Sequence, residues 1–133
     1  MNPAQKLAAY QRNVVLSAPP EQLLTMLYDR LLLDLERAKV AQASSDWAEA
    51  SKQLIHAQDI VFELQSTLNV DAWSGGKSLY ALYDYVHRTL VNANTSRNVD
   101  RTDEAIRLLE PIRQAWHQAL AQMPATHVRG ADA

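Results

Sequence analysis

The chain contains no cysteine, which excludes disulfides, zinc–thiolate sites and thiol nucleophiles together. It fits a reducing compartment, or a protein that must never crosslink. Only three glycines occur in 133 residues, too few to supply many tight hairpin turns, and that scarcity favours helices. No stretch approaches the ~20 apolar residues that a membrane helix needs. The N-terminus, MNPAQKLAAYQRNVV, lacks the basic start and apolar run of a signal peptide. A cytoplasmic protein without membrane insertion is therefore expected. There is no cationic surplus either: 13 Lys and Arg stand against 15 Asp and Glu, a formal net charge of −2. A general pull toward nucleic acid is thus absent. Hydrophobic residues make up 47 % of the sequence, an ordinary globular share, and the length fits one domain.

Motifs for chemistry are also missing. Gly75-Gly76-Lys77-Ser78 looks like the end of a phosphate loop, but G-x-x-x-x-G-K-S/T needs glycine where Asp71 stands, and a preceding strand. A turn into a helix explains these residues better. A di-metal bundle site needs two Glu-x-x-His repeats with two further inward glutamates. The nearest match is a single Asp84-x-x-His87, while His56, Asp59 and Glu63 share a helix face at solvent-type positions. Asp29, Asp59 and Asp84 lie off the apolar stripes, and nothing in the sequence brings two of them together for acid–base work. Arg97, Arg101, Arg107 and Arg113 alternate with Asp100, Asp103, Glu104 and Glu110, a pattern of helix pairing and solvation. No catalytic residue, cofactor or metal is expected.

What is present is helical periodicity. Pro19-Pro20 followed by Glu21 opens a first helix that runs to about Ala43, since proline suits a first turn and the carboxylate suits the positive helix end. Asp46 with Glu49 starts a second, to about Leu68. Asn69 to Gly76 reads as a loop, a third helix covers roughly Ser78 to Thr95, and Asp100 with Asp103 opens a fourth that ends near Gln122. Each carries one apolar stripe at spacings of three and four. The stripes are Leu24, Leu27, Tyr28, Leu31, Leu35 and Ala38; Trp47, Ala50, Leu54, Ala57, Val61, Leu64 and Leu68; Leu79, Leu82, Tyr83, Val86, Leu90 and Ala93; and Leu108, Leu109, Ile112, Trp116, Ala119 and Met123. The fold expected is all-α: an antiparallel up-down four-helix bundle over residues 19–123. It would be preceded by a mobile N-terminal cap segment, 1–18, helical or extended, and followed by a disordered tail, 124–133. Pro111 should remove a hydrogen bond and kink the last helix.

The stripes leave apolar residues over. At about 100° per residue, Met26, Leu33 and Val40 share the face of the first helix opposite its core. The second helix carries Ile55 and Phe62 off its stripe, and the third carries Tyr80, His87 and Val91. Broad core edges, a dimer seam, or a groove for a partner helix would each account for them. Leu7, Tyr10 and Val14, at i, i+3 and i+7, form an apolar turn or two, too short to be a stable helix alone.

Three segments resemble the flagellar secretion chaperone family FliS. The first is Ala9-Tyr10-Gln11 through Asn13, Val15, Ser17, Ala18, Pro20-Glu21 and Leu23 to Met26-Leu27-Tyr28-Asp29. The second is Ala57, Ile60, Val61 and Glu63-Leu64-Gln65-Ser66 with Leu68. The third is Leu82-Tyr83-Asp84-Tyr85, Arg88, Leu90 and Ala93-Asn94, followed by Arg113 and Ala115-Trp116. Arg30 departs from a usual glycine, Pro19 from a common serine cap, and the loop glycines come late, beside Trp73. The resemblance implies a non-enzymatic cytosolic chaperone that binds the C-terminal helical segment of flagellin, blocks premature polymerisation and aids type III flagellar secretion, with an export-gate component as a further partner. Tyr10, Met26, Leu33, Val40, Ile55, Phe62, Tyr80, His87 and Val91 are then the expected partner-binding residues. Leu7, Tyr10 and Val14 would form a lid over part of the groove in the partner's absence. A generic helical adaptor or dimerisation bundle is the alternative.

Overall fold

A computed structural model describes residues 20–123; the cap segment 1–18 and the tail 124–133 lie outside the described residues. Four long helices account for most of them: α1 (Pro20–Ala43), α2 (Trp47–Thr67), α3 (Gly76–Thr95) and α4 (Val99–Ala121), with a short 3-10 turn at Val70–Ala72. α1 packs on α2 and α4, and α3 packs on the same two. The helices therefore form a ring in chain order, as the short links at 44–46 and 96–98 demand of antiparallel neighbours. Among the described residues no strand occurs.

The helix ends follow from local chemistry. α1 closes with Ser45 in the left-handed region (φ 58°), so that the Asp46 N–H reaches back to the Ala41 carbonyl at 2.8 Å and satisfies an end carbonyl. Asp46 then turns to the next helix, its carboxylate accepting from the Glu49 N–H at 3.2 Å, an N-cap. α3 ends in the same way, with Arg97 at φ 49° and the Asn98 N–H on the Ala93 carbonyl at 3.0 Å. Asn98, rather than Asp100, caps α4: its side-chain oxygen accepts from the Asp100 N–H at 3.0 Å. The third helix also begins earlier than expected, at Gly76. That glycine is required by packing, because a Cβ there would overlap the backbone carbonyl of Val70. Pro111 sits inside α4, which runs through it unbroken from Val99 to Ala121. The ring is exposed, and about three helix turns on either side of it hold the segment in register.

The core is the set of stripes read from the sequence, with revisions. Tyr28, Leu31, Leu35, Leu54, Val61, Val86, Leu90 and Leu109 are fully or almost fully buried, each large apolar side chain contributing roughly 1.5–3 kcal/mol relative to exposure. Ala105 and Thr102, on the first turns of α4, are buried as well, whereas Ala119 is exposed and Trp116 and Met123 are only half-buried. The fully buried part of α4 lies nearer its N-terminus than the periodicity placed it, while Ile112 and Trp116 pack against the core only in part.

Two polar nodes cross the core. The Tyr28 and Tyr83 hydroxyls meet at 2.5 Å, their rings tilted with centroids 6.5 Å apart. Nearer the other end, Gln42 donates to the Ala93 carbonyl at 3.3 Å and accepts from the Thr102 hydroxyl at 2.7 Å. One amide thus joins α1, α3 and α4, and both of its ends are satisfied, which a buried polar group needs.

Candidate docking surfaces

Two flanks of α1 can be located from its side-chain pairs. Asp34, fully buried, receives the Arg30 guanidinium at 2.9 Å and the His56 imidazole of α2. Asp29 instead takes Arg113 at 2.7 Å and His117 at 2.6 Å, both on α4, and Lys39 reaches Asp103 of α4 at 2.9 Å. With the core on the third side, the remaining side points outward, and Leu33 and Val40 occupy it, 41 % and 70 % exposed. Met26 shares the face but is half-buried. Arg30 and Arg37 border this stripe on the α2 side, Asp29 and Glu36 on the α4 side.

The same bookkeeping on α2 and α3 places the other surplus residues. His56 marks the α1 flank of α2. Ile55 and Phe62 lie about a third of a turn from the core in the opposite sense, at about 100° per residue, so they stand on the flank toward α3. On α3, Tyr85 donates to Glu104 of α4 at 2.6 Å and so marks the α4 flank. Tyr80, His87 and Val91 lie on the other side, toward α2. Ile55, Phe62, Tyr80 and Val91 are all exposed, Phe62 to 62 %, while His87 is half-buried. The expected binding residues therefore fall on two separate surfaces. One is the outward face of α1; the other is the outer groove between α2 and α3. Of the remaining expected residues, Leu7, Tyr10 and Val14 lie outside the described residues.

The ion pairs set the electrostatic borders of these surfaces. Hydrogen bonding and charge from Asp29 and Glu110 hold the Arg113 guanidinium above its ordinary pKa. Asp103 is lowered by its bond to Lys39, and Glu104 by the Tyr85 hydroxyl and then Arg101. Burial raises both core tyrosines, Tyr83 far above the ordinary phenol range, so each hydroxyl stays protonated as a structural hydrogen-bonding group. Among the described residues no group of His, Asp and Glu is arranged to hold a metal ion. Asp84 finds its neighbour Arg88 at 3.1 Å, and Asp59 stays on the surface.

Sequence reading missed Asp34, His56 and the aromatic Trp73. Asp34 sits in the run Leu31-Leu32-Leu33-Asp34-Leu35, where a single charge among leucines was the available signal. His56 read as solvated surface, but its ring is committed to that carboxylate. Trp73 is exposed on the loop, with its ring laid over Gly75.

The described residues form an all-α bundle with two exposed apolar surfaces and no metal-binding cluster among them. Comparison with known proteins is specific. Residues 3–123 match the model of the family described as Flagellar protein FliS, and the chain belongs to that family. It is 37 % identical over 112 residues to the flagellar secretion chaperone FliS of Bacillus subtilis, covering 84 % of each chain. It is 32 % identical over 109 residues to the FliS of Salmonella typhimurium, covering 80 % of each. A solved bacterial flagellar chaperone superposes with a TM-score of 0.71 at 20 % identity, over 89 % of this chain and 99 % of that one, a likeness of fold. No helix among the described residues is long and apolar enough to cross a membrane.

Proposed function

We propose that this FliS-family protein is a non-enzymatic cytoplasmic export chaperone that binds the C-terminal helical segment of flagellin, keeps it from polymerising early and delivers it to the flagellar type III apparatus. Export-gate components are its natural second partners. The observation that carries the reading is the exposure of Leu33, Val40, Ile55, Phe62, Tyr80 and Val91 on helices whose cores are already complete. Amphipathic helices dock into such surfaces through anchors one or two turns apart. Because the two faces are separated by the α2 surface, a single rigid helix cannot cover both. A chain that is unfolded when free and orders on contact can, and the ordering cost calls for a large apolar interface. Burial of the half-exposed Met26 and His87 would extend the two faces.

Charge argues against a second copy on α1. Laid antiparallel about Leu33, two copies would set Arg30 against Arg37 and Asp29 against Glu36, like charge on like. The flagellin reading is tested by calorimetry with a C-terminal flagellin peptide. A clearly negative heat-capacity change is expected; no binding at tens of micromolar peptide would overturn it. The segment bearing Leu7, Tyr10 and Val14 acts in this reading as a competing lid, and its amides should lose hydrogen-exchange protection when peptide is added. Unchanged protection there removes the lid and leaves the chaperone role standing.

A further inference from the structure

At the end of the bundle where α1 and α3 finish, a cavity of ≈ 270 Å³ opens between the start of α2 and the end of α3. Leu54, Ala50 and Ala93 give it an apolar floor, and Trp47, Asn94 and Arg97 stand at its wall. The Arg97 guanidinium lies 5.1 Å from the centre of the Trp47 ring, a cation–π contact that fixes the cation in place. Its backbone is in the left-handed region, φ 49°, a conformation that costs an L-residue energy and that glycine adopts freely.

Arg97 differs from its neighbours in having no carboxylate. Arg30, Arg88, Arg101, Arg107 and Arg113 all sit in ion pairs. Arg37 lines a depression that also holds Glu36, Asp46 and Glu49. No acidic residue lines the Arg97 cavity; its polar lining consists of Gln42, Ser51, Asn94, Thr95 and the arginine. Gln42 is spent on Ala93 and Thr102, and the Thr95 hydroxyl on the Val91 carbonyl, which leaves Arg97, Asn94 and Ser51 as free donors. The first turn of the 21-residue α2 borders the same space, but its positive end is already offset by the Asp46 cap and by Glu49, so Arg97 is the charge left to hold an anion.

We propose that this cavity is a carboxylate-binding site, taking a carboxylate on a short aliphatic group, with Arg97 as its anchor. A guanidinium presents a fork of donors that matches the two carboxylate oxygens. Leu54, Ala50 and Ala93 leave room beside the arginine for a few carbons. Two sources carry this chemistry: a free short-chain carboxylate, or the terminal carboxylate of a bound polypeptide.

The test follows the Arg97 Nε–H and Trp47 indole N–H resonances of the full chain by 15N NMR during titration with sodium propionate, against sodium chloride at equal ionic strength. A saturable shift at those two groups is expected, with a dissociation constant on the order of 1 mM, within reach of so small a ligand. Arg97→Gly should abolish it at Trp47. Because φ 49° suits glycine, that variant should keep its Tm or gain slightly, so loss of binding cannot be blamed on misfolding. In the second arm, a flagellin C-terminal peptide is compared as free acid and as C-terminal amide. Amide binding weaker by about tenfold, a difference removed by Arg97→Gly, assigns the site to a chain terminus, the gain expected of one charge-assisted contact. Equal affinities with a propionate response assign it to the free acid. Shifts that do not saturate or that spread over the other arginines, together with equal acid and amide affinities, overturn the proposal. Failure of both peptides to bind counts against the flagellin reading alone, since the propionate titration decides the cavity by itself.

Discussion

Leu31 and Leu33 are the same side chain, two residues apart on one helix, and they do opposite things. Leu31 is wholly buried, while Leu33 is 41 % exposed. Two residues turn the helix by about 200°, so the inner leucine completes a core and the outer one is left facing solvent. On the inner side the buried polar groups Asp34, Gln42 and Thr102 are hydrogen-bonded. Around Leu33 charges of both signs line the edges of an uncovered apolar strip. The contrast separates what this sequence buries in order to fold from what it leaves uncovered.

The largest effect should come from putting the same charge on both sides. Leu31→Asp buries an unpaired carboxylate at a cost of several kcal/mol, a large share of the ~5–15 kcal/mol that holds a domain together. A melt followed by circular dichroism should show an unfolded chain at 25 °C. Leu33→Asp should leave Tm within a few degrees of the parent while weakening flagellin-peptide binding in calorimetry. If both unfold the chain, the two faces are not distinct.

The inner face can be attacked by pH as well. Tyr28 and Tyr83 titrate higher when folded than when unfolded, chiefly through burial. The folded state therefore holds protons that the unfolded state releases, so their contribution is complete below pH about 10, the unfolded phenol value, and declines as pH rises above it. The unfolding free energy from urea titrations should fall between pH 10 and 11.5, by up to ~1.4 kcal/mol per pH unit for each tyrosine. The double variant Tyr28→Phe/Tyr83→Phe should flatten that slope. An unchanged slope would mean that other groups set the alkaline limit.

A smaller loss is expected between α1 and α2. His56→Leu leaves the buried Asp34 carboxylate with Arg30 as its remaining partner and should cost ~1–3 kcal/mol, measured by urea denaturation. Arg88→Leu, which breaks only the exposed pair with Asp84, should shift stability by less than that and serves as the control. Equal costs would show that the Asp34 pairing carries no special weight.

The least effect on stability should come from the other outward surface. Phe62→Ser removes a side chain that is 62 % exposed, and its ΔΔG of unfolding should stay within about 0.5 kcal/mol. Its effect on peptide binding, set beside that of Leu33→Asp, shows whether the α1 face and the α2–α3 groove serve one partner. If Phe62→Ser leaves binding untouched while Leu33→Asp reduces it, α1 alone is the docking surface.

The helices and most of the core were legible in the chain because each rests on local chemistry: periodic leucines, the Asp46 cap, and prolines at the entry to α1. The ends of α3 and α4 were less so. Residue 76, where α3 begins, has to be glycine because the Val70 carbonyl lies against it, a contact across a loop that no local rule supplies. Asn98 takes the cap ahead of Asp100 because Arg97 turns left-handed just before it. The surplus apolar residues were visible as a set, but not as two sets. Their division depends on which flank of each helix meets which neighbour, and only Asp34–His56, Asp29–Arg113 and Tyr85–Glu104 reveal that.

By itself, then, the sequence determined four amphipathic helices, their order, the inward stripe of each, the presence of spare apolar residues, and the resemblance to FliS. The resemblance rests on particular residue motifs; the rest follow from spacing and composition along the chain, where the interacting residues are three or four apart. The tertiary structure decided what depends on distant residues meeting: the pairing of a buried aspartate with a histidine 22 residues away, the tyrosine pair 55 residues apart, the separation of the two outward surfaces, and the cavity under Arg97. Those contacts join side chains on different helices, and their geometry is set by how four cylinders pack, which no single stretch of sequence encodes.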